Sequence, residues 1–355
     1  MRLILLFCCF ITKVTPKSEN IFSENASYLK VLNLNTWGLS WPWSKDREHR
    51  FIALRDEIVN GNYDIVLLQE VWLRKDYDVL RPALPYVTYY QTLNGNCFGT
   101  FLPLGCSGLT ILSKHPMQDA KMYPFQFKGT FWNFDGEVFV GKGVAKARIL
   151  WNGFTVDVFT THLISYTNHP NQDNAKFRYM QALETVRHIR NSDADIKLFG
   201  GDLNTLPITD SREPYGILST VLTDSLIDKF PRASFSPYYS TFGNKKNTYT
   251  RDFVPERIDY LMYANSPKIK MKTFDYHVPN FYTVSSHGYK ISLSDHEPIV
   301  GVFAVERTAN ISLSDKKHYY KKNELQQKQK QYNLHVDSSE PHSNLVRRRH
   351  FLSKY

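Results

Sequence analysis

Read along the chain, the apolar positions fall into short runs that each end on a polar side chain. Tyr28-Leu29-Lys30-Val31-Leu32-Asn33-Leu34-Asn35 has the two-residue period of a strand, with Leu32 and Leu34 on one face and Asn33 and Asn35 on the other. Asp46–Asn60 carries Phe51, Leu54, Ile58 and Val59 near helical spacing, and Gly61 suits its end. Tyr63–Gln69 predicts a second buried strand that delivers Glu70 at its tip. Residues 73–84 read as helical up to Pro82, and residues 86–91 and 108–113 read as strands. The runs 141–149 and 153–163, joined through Asn152-Gly153, predict a hairpin ending at His162. Residues 172–191 predict a helix with Phe177, Met180, Leu183, Val186 and Ile189 as its inner stripe. Strands follow at 196–202, 257–263 and 299–305. Because helical and strand patterns mix without a break, one α/β domain over residues 28–306 is the simplest organisation.

The most distinctive run is Phe199-Gly200-Gly201-Asp202-Leu203-Asn204. On an extended backbone Asp202 and Asn204 share a face, a pair suited to a divalent metal and a phosphoryl oxygen. The same residues also make an ordinary strand-to-loop turn, so the run alone decides nothing.

Charge changes the picture only at the ends. The formal net charge is +10 over 355 residues. Residues 1–17 carry +3 and residues 307–355 carry +7, which leaves the body neutral. A neutral body lacks the broad basic footprint of a duplex-binding enzyme. The basic, polar composition beyond Arg307 is that of a disordered tail. Met1–Ile11 pairs a charged start with a short apolar run, too short to span a bilayer and suited to a signal peptide over residues 1–17. Export would suit the sequons at Asn25 and Asn310, and a disulfide between Cys97 and Cys106, the two cysteines left after removal of Cys8 and Cys9. A secreted or extracellular location is therefore expected, with membrane association in the secretory pathway as the alternative. Trp41-Pro42-Trp43 and Phe131-Trp132-Asn133-Phe134 lie in loops and suit either core packing or contact with a membrane interface or a choline group.

Asn-Thr-Trp-Gly (35–38), Leu-Gln-Glu-Val (68–71), Thr-His-Leu (161–163), Gly-Asp-Leu-Asn (201–204), Arg-Ile-Asp-Tyr (257–260) and Ser-Asp-His-Glu-Pro (294–298) resemble, in that order, the endonuclease/exonuclease/phosphatase superfamily. The resemblance implies a deoxyribonuclease-like four-layer α/β sandwich, two central mostly antiparallel sheets flanked by helices, and Mg²⁺-dependent phosphoester hydrolysis. Gly-Lys-Gly-Val at 141–144 and Leu-Ser-Lys-His-Pro at 112–116 add similarity to the animal neutral sphingomyelinases. That likeness implies hydrolysis of sphingomyelin, presented in a membrane or lipoprotein surface, to ceramide and phosphocholine, with transient surface contact and no stable nucleic-acid partner. The membrane-spanning C-terminal helices of the animal enzymes have no counterpart in this sequence.

The resemblance also assigns roles. Glu70 is the main metal ligand, with Asn35 near both metal and phosphate and Lys142 on the substrate. His296 is the general base and Asp259 its orienter. Asp202 orients the nucleophile or a second metal, Asn204 and His162 donate to developing negative charge, and Asp295 lies beside the base or near the metal. The alternatives are a secreted Mg²⁺-dependent nuclease on the same fold, or a catalytically silent lipid- or partner-binding homologue.

Overall fold

The computed structural model describes residues 22–23, 26–91, 106–129, 140–165 and 174–308. The signal segment, Asn25, Cys97, the aromatic run at 131–134, Asn310 and the tail lie outside the described residues.

In chain order the strands are β1 (Ser27–Asn35), β2 (Ile65–Gln69), β3 (Tyr86–Gln91), β4 (Cys106–Ser113), β5 (Met117–Pro124), β6 (Gly143–Trp151), β7 (Phe154–His162), β8 (Ile196–Asp202), β9 (Thr223–Asp224), β10 (Asp259–Asn265), β11 (Ile269–His277), β12 (Tyr282–Val284), β13 (Lys290–Ser292) and β14 (Ile299–Arg307). The α-helices are α1 (Arg47–Asn60), α2 (Arg74–Leu80), α3 (Asn174–Arg190), α4 (Pro214–Leu218) and α5 (Ser225–Lys229). One six-stranded sheet runs β11-β14-β1-β2-β4-β3, a second runs β5-β6-β7-β8-β10-β9, and β12 pairs with β13 alone. Within the two large sheets only β1–β2 and β7–β8 are parallel. None of the described helices is long and apolar enough to cross a membrane.

Alternation along each strand sorts side chains into three apolar layers. Leu29, Val31, Ile65, Leu67, Val156, Val158, Ile196, Leu198 and Leu261 meet between the sheets. Leu32, Leu34, Val66 and Leu68 point outward onto Phe51, Leu54 and Ile58 of α1. Phe159, Phe199, Tyr260 and Met262 point outward on the other side, onto Ala182, Val186 and Ile189 of α3 and Tyr215 of α4. The order is therefore helix, sheet, sheet, helix, the expected four-layer sandwich.

The layer between the sheets changes character along its length. Followed by twos, Leu29 and Val31 give way to Asn33 and Asn35, Ile65 and Leu67 to Gln69, and Val158 to Thr160 and His162. Leu198 gives way to Gly200 and Asp202, and Leu261 faces the same layer as Asp259. One end of the core is thus apolar and the other polar, by register alone.

Several expectations need correcting. The inner face of α3 is Arg178, Gln181, Ala182, Thr185, Val186 and Ile189, while Leu183 is 39% exposed. The helix packs its polar side over the loop after β7, where Gln181 accepts the Ile164 N–H and Arg178 donates to the Ser165 carbonyl. Edge strand β5 is largely exposed and polar, so it shows no apolar run. Strand β10 begins at Asp259 rather than Arg257, because the Ile258 N–H is taken by Thr241 Oγ1 at 3.2 Å and the Arg257 carbonyl by the Tyr260 hydroxyl at 2.9 Å, side-chain partners in place of a neighbouring strand.

Candidate active site

Strand register assembles half of the site. In β7–β8 His162 pairs with Asp202, and in β8–β10 Asp259 pairs with Asp202 from the other side. Directly paired residues on neighbouring strands share a face. Three tips therefore present a histidine and two carboxylates in one row. In the other sheet Asn35 pairs with Gln69, and Glu70 follows immediately. The two tips meet across the sandwich because Gly200 leaves room: a Cβ there would lie 2.5 Å from Leu67 and 2.8 Å from the Asn33 amide oxygen. Gln69 Nε2 crosses to Thr160 Oγ1 at 2.9 Å, and Asn35 Nδ2 donates to Glu70 Oε1 at 3.0 Å and to Asp202 Oδ2 at 2.9 Å. Asn35 is thus the hinge between the two sheets' carboxylates.

Backbone strain marks the same place. Trp37, Glu70 and Asn204 all sit in the left-handed region, at φ of 50°, 61° and 49°. Non-glycine residues hold such angles only where the surroundings over-determine them, and functional sites are where they cluster. At Glu70 the turn aims the carboxylate at Asn35 and at Trp72 Nε1, which is 3.3 Å from Oε2. At Asn204 it corrects the alternation argument. The strand ends at Asp202, the Asn204 main-chain N–H folds back onto Asp202 Oδ1 at 2.8 Å, and its amide donates to the Leu163 carbonyl at 3.1 Å.

The remaining members come from the loop before β14. His296 Nδ1 lies 2.8 Å from Asp259 Oδ2, while its Nε2 is 3.9 Å from Asp202 Oδ2. Donor atoms of Asp202, Asp259 and His296 all lie within 4.8 Å of one another, close enough for a metal ion. Asp295 is half-buried beside them, and Ser294 Oγ ties this loop to the Asn35 carbonyl at 2.6 Å. His162 Nε2 stands 3.6 Å from Asp202 Oδ2, 4.0 Å from Glu70 Oε1 and 3.4 Å from Lys142 Nζ. Lys142 Nζ also donates to the Leu163 carbonyl at 2.8 Å. All nine described members of the expected constellation are brought together. Cys106, in contact with Trp72, is disulfide-bonded.

Electrostatics separate the two histidines. Burial, then the cations of Lys142 and His296, press the His162 pKa well below the usual range, so this ring is neutral. Burial also opposes charge on His296, but Asp259, Asp295 and Asp202 overcome it and raise its pKa well above the usual range. Asp202 is pushed up to about 7 by burial and by the Asp259 charge, against the pull of His296 and Asn35. Asp295 is pushed up to about 6, chiefly by burial. Neighbouring titratable groups driven apart in this way are the mark of acid–base chemistry.

One contributor escaped the sequence reading. Arg50 is fully buried on α1 and donates to the carbonyls of Lys45, Thr36, Leu293 and Trp37. It thereby binds the loops after β1 and before β14, which carry Trp37 and Asp295. The signal was its place one and two turns before Leu54 and Ile58, on the apolar stripe, where a cation must find partners.

Comparison with known proteins agrees with this geometry. The chain is 30% identical over 186 residues to sphingomyelin phosphodiesterase 2 of Homo sapiens, covering 50% of this chain and 41% of that protein. It is 28% identical over 271 residues to the inositol phosphosphingolipids phospholipase C of Schizosaccharomyces pombe, covering 68% of this chain and 62% of that one. The chain thus spans less than two thirds of either relative. A beta toxin crystal structure from Staphylococcus aureus shares the fold, with a TM-score of 0.58 at 22% identity over 77% of this chain and 99% of that one. Residues 32–296, which begin in β1 and end at the histidine of the Asp259 pair, match a single family description across well over half the sequence. On that match and this architecture, the chain belongs to the endonuclease/exonuclease/phosphatase family.

Proposed function

We propose that the protein is a Mg²⁺-dependent sphingomyelin phosphodiesterase, hydrolysing sphingomyelin to ceramide and phosphocholine. The observation that carries this reading is the His296–Asp259 pair facing Asp202, with Glu70 and Asn35 supplied by the opposite sheet. The names of the human and yeast relatives, both phosphosphingolipid hydrolases, support the substrate class.

The donor set fits Mg²⁺. Glu70, Asp202 and Asp259 offer hard carboxylate oxygens, Asn35 an amide, and buried Asp259 Oδ1 has no hydrogen-bond partner among the described residues. Glu70 and Asn35 would hold the ion, with Asp202 or Asp259 next to it. A bound Mg²⁺ supplies Lewis acidity toward the phosphoryl oxygens and lowers the cost of the leaving alkoxide.

The chain's own residues do the proton work. Asp259 accepts from His296 Nδ1, which fixes the ring and leaves Nε2 toward the space beside Asp202. In its neutral form His296 takes a proton from water as the water oxygen bonds to phosphorus. The bond from phosphorus to the ceramide oxygen breaks, that oxygen takes its proton from solvent water, and the proton held by His296 returns to solvent to restore the base. In this reading Asp202 orients the water, and Asn204, His162 and Lys142 stabilise phosphoryl negative charge. Trp41 and Trp43, 83% and 62% exposed between β1 and α1, support contact with the lipid surface that presents the substrate. The disulfide at Cys106 supports export to an oxidising compartment.

The test is a side-by-side assay of purified protein on sphingomyelin, an inositol phosphosphingolipid and plasmid DNA, with Mg²⁺ and with EDTA. Phosphocholine release that needs Mg²⁺ is expected. Cleavage of DNA alone would overturn the reading, and preference for the inositol lipid would move the head group while keeping the chemistry.

A further inference from the structure

Asp259 and the loop that carries His296 are both bonded to one residue outside the strands and motifs, through the Asp259 N–H and through the N–H of Glu297, which follows His296. Thr241 is fully buried in the irregular segment before β10. Its Oγ1 lies 3.1 Å from the Asp259 N–H and 3.2 Å from the Ile258 N–H, accepting from the main chain that starts β10. Its carbonyl accepts the N–H of Glu297, the residue after His296, at 2.6 Å. Its own N–H donates to the Glu256 carbonyl at 2.9 Å. The next residue continues the clip: Phe242 exchanges main-chain hydrogen bonds with Glu256, and its ring lies 5.3 Å from the His296 imidazole.

We propose that Thr241 is the positioning residue of the His296–Asp259 couple. The side-chain oxygen anchors the aspartate and the main-chain oxygen anchors the loop of the histidine, so one residue fixes the distance between them. Asp259 needs such an anchor because it is the first residue of its strand, where the ladder with β8 has only just begun. The Asp259 N–H is buried in a position where losing the hydroxyl leaves it without that acceptor. A displacement of the pair by a fraction of an ångström leaves substrate contacts in place and weakens proton transfer, which is geometrically demanding.

This inference rests on the catalytic roles proposed above, and the experiment keeps the two apart. In the full chain, Thr241→Val keeps volume and main-chain bonds and removes only the Oγ1 acceptor. Sphingomyelin turnover with Mg²⁺ should show kcat lowered about 10- to 100-fold with KM within about twofold, and Thr241→Ser should restore most of it. The His296 Nδ1 proton, followed by NMR with ¹⁵N-labelled histidine, should move or broaden in Thr241→Val and return in Thr241→Ser. Thr155→Val is the control: it removes a hydroxyl bonded to Asp195 at the far end of β7, and should lower stability while leaving kcat and the His296 signal unchanged. If Thr241→Val does not fold, Thr241→Ala, which leaves room for a water at the orphaned N–H, serves the same readouts. An unmoved His296 signal with unchanged kcat would overturn the proposal, as would Thr241→Ser behaving like Thr241→Val. Wild-type protein that is inactive on sphingomyelin, yet shows the threonine-dependent His296 signal, would overturn the substrate and leave the positioning role standing.

Discussion

Asp157 and Asp202 sit one strand apart in the same sheet and are equally hidden, at 0% and 1% exposure. Asp157 lies on the outer face of β7, where Lys146 Nζ approaches to 2.8 Å, Arg148 Nε to 2.6 Å and Ser192 Oγ to 2.6 Å. Burial there opposes charge, but those partners overcome it and hold the carboxyl below its ordinary range. Asp202 lies on the inner face of β8, where its partners are an amide and a main-chain N–H. No lysine or arginine salt bridge reaches it among the described residues, and its pKa rises to about 7. Burial is common to both; the supply of cations is not. A carboxylate fully matched by its own protein is structural, whereas one left short of positive charge marks where an outside charge belongs.

The comparison breaks hardest at the histidine that partly compensates Asp202. His296→Ala should lower kcat by about 10²- to 10⁴-fold, the usual worth of a general base, with lipid binding retained. Turnover within a few-fold of wild type would demote His296 to a phosphate contact. Glu70→Gln should lose activity with the circular dichroism spectrum unchanged, and EDTA should do the same to the wild type. Full turnover in either condition would remove the metal from the site.

Stability should respond in the opposite sense at the two ends. Asp157→Asn leaves Lys146 and Arg148 facing one another without their shared counter-charge, and should cost about 3–5 kcal/mol. Asp202→Asn removes a buried charge that His296 compensates only in part. In EDTA its midpoint in urea should equal or exceed that of the wild type, while activity falls. If both substitutions destabilise alike, the division into matched and unmatched carboxylates is wrong.

Much of this was legible before the structure, and the reason is physical. Apolar runs ending in Asn35, Glu70, His162 and Asp202 announce strands whose tips are polar, and the order of those tips carries the family likeness. What was hidden depends on residues distant in sequence. The place of Arg50 on the apolar stripe of α1 marks it as buried, but its carbonyl partners, scattered from Thr36 to Leu293, cannot be read from the sequence. Thr241 lies in a loop-rich stretch with no periodicity, and its role exists only once β10 and the His296 loop flank it. Hydrophobic spacing misjudges the face of α3 because it selects Leu183, whereas Arg178 and Gln181 are buried by hydrogen bonds to the loop after β7.

Asp76 on α2 supplies the intermediate case and the smallest expected effect. It is 2% exposed and has one close salt-bridge partner, Arg47 at 2.7 Å, so it stands between the two-cation Asp157 and Asp202. Burial pushes its pKa up to about 6, against the opposing pull of Arg47. An aspartate in the unfolded chain titrates near 3.9. Below pH ~4 the group is protonated in both states and carries no penalty. Between pH ~4 and ~6 the folded protein holds a proton that the unfolded chain releases, so stability falls as pH rises, at about 1.4 kcal/mol per pH step and about 2–3 kcal/mol in all. Asp76→Asn has no such proton to lose. Its stability relative to wild type should therefore improve by about that amount from pH 4 to pH 7, whatever the absolute offset from breaking the Arg47 pair. Urea unfolding of both proteins at pH 4, 5.5 and 7 measures the difference directly. A constant offset across the three would mean that one cation already matches a buried carboxylate here, and the ordering of the three aspartates by their cation supply would fail.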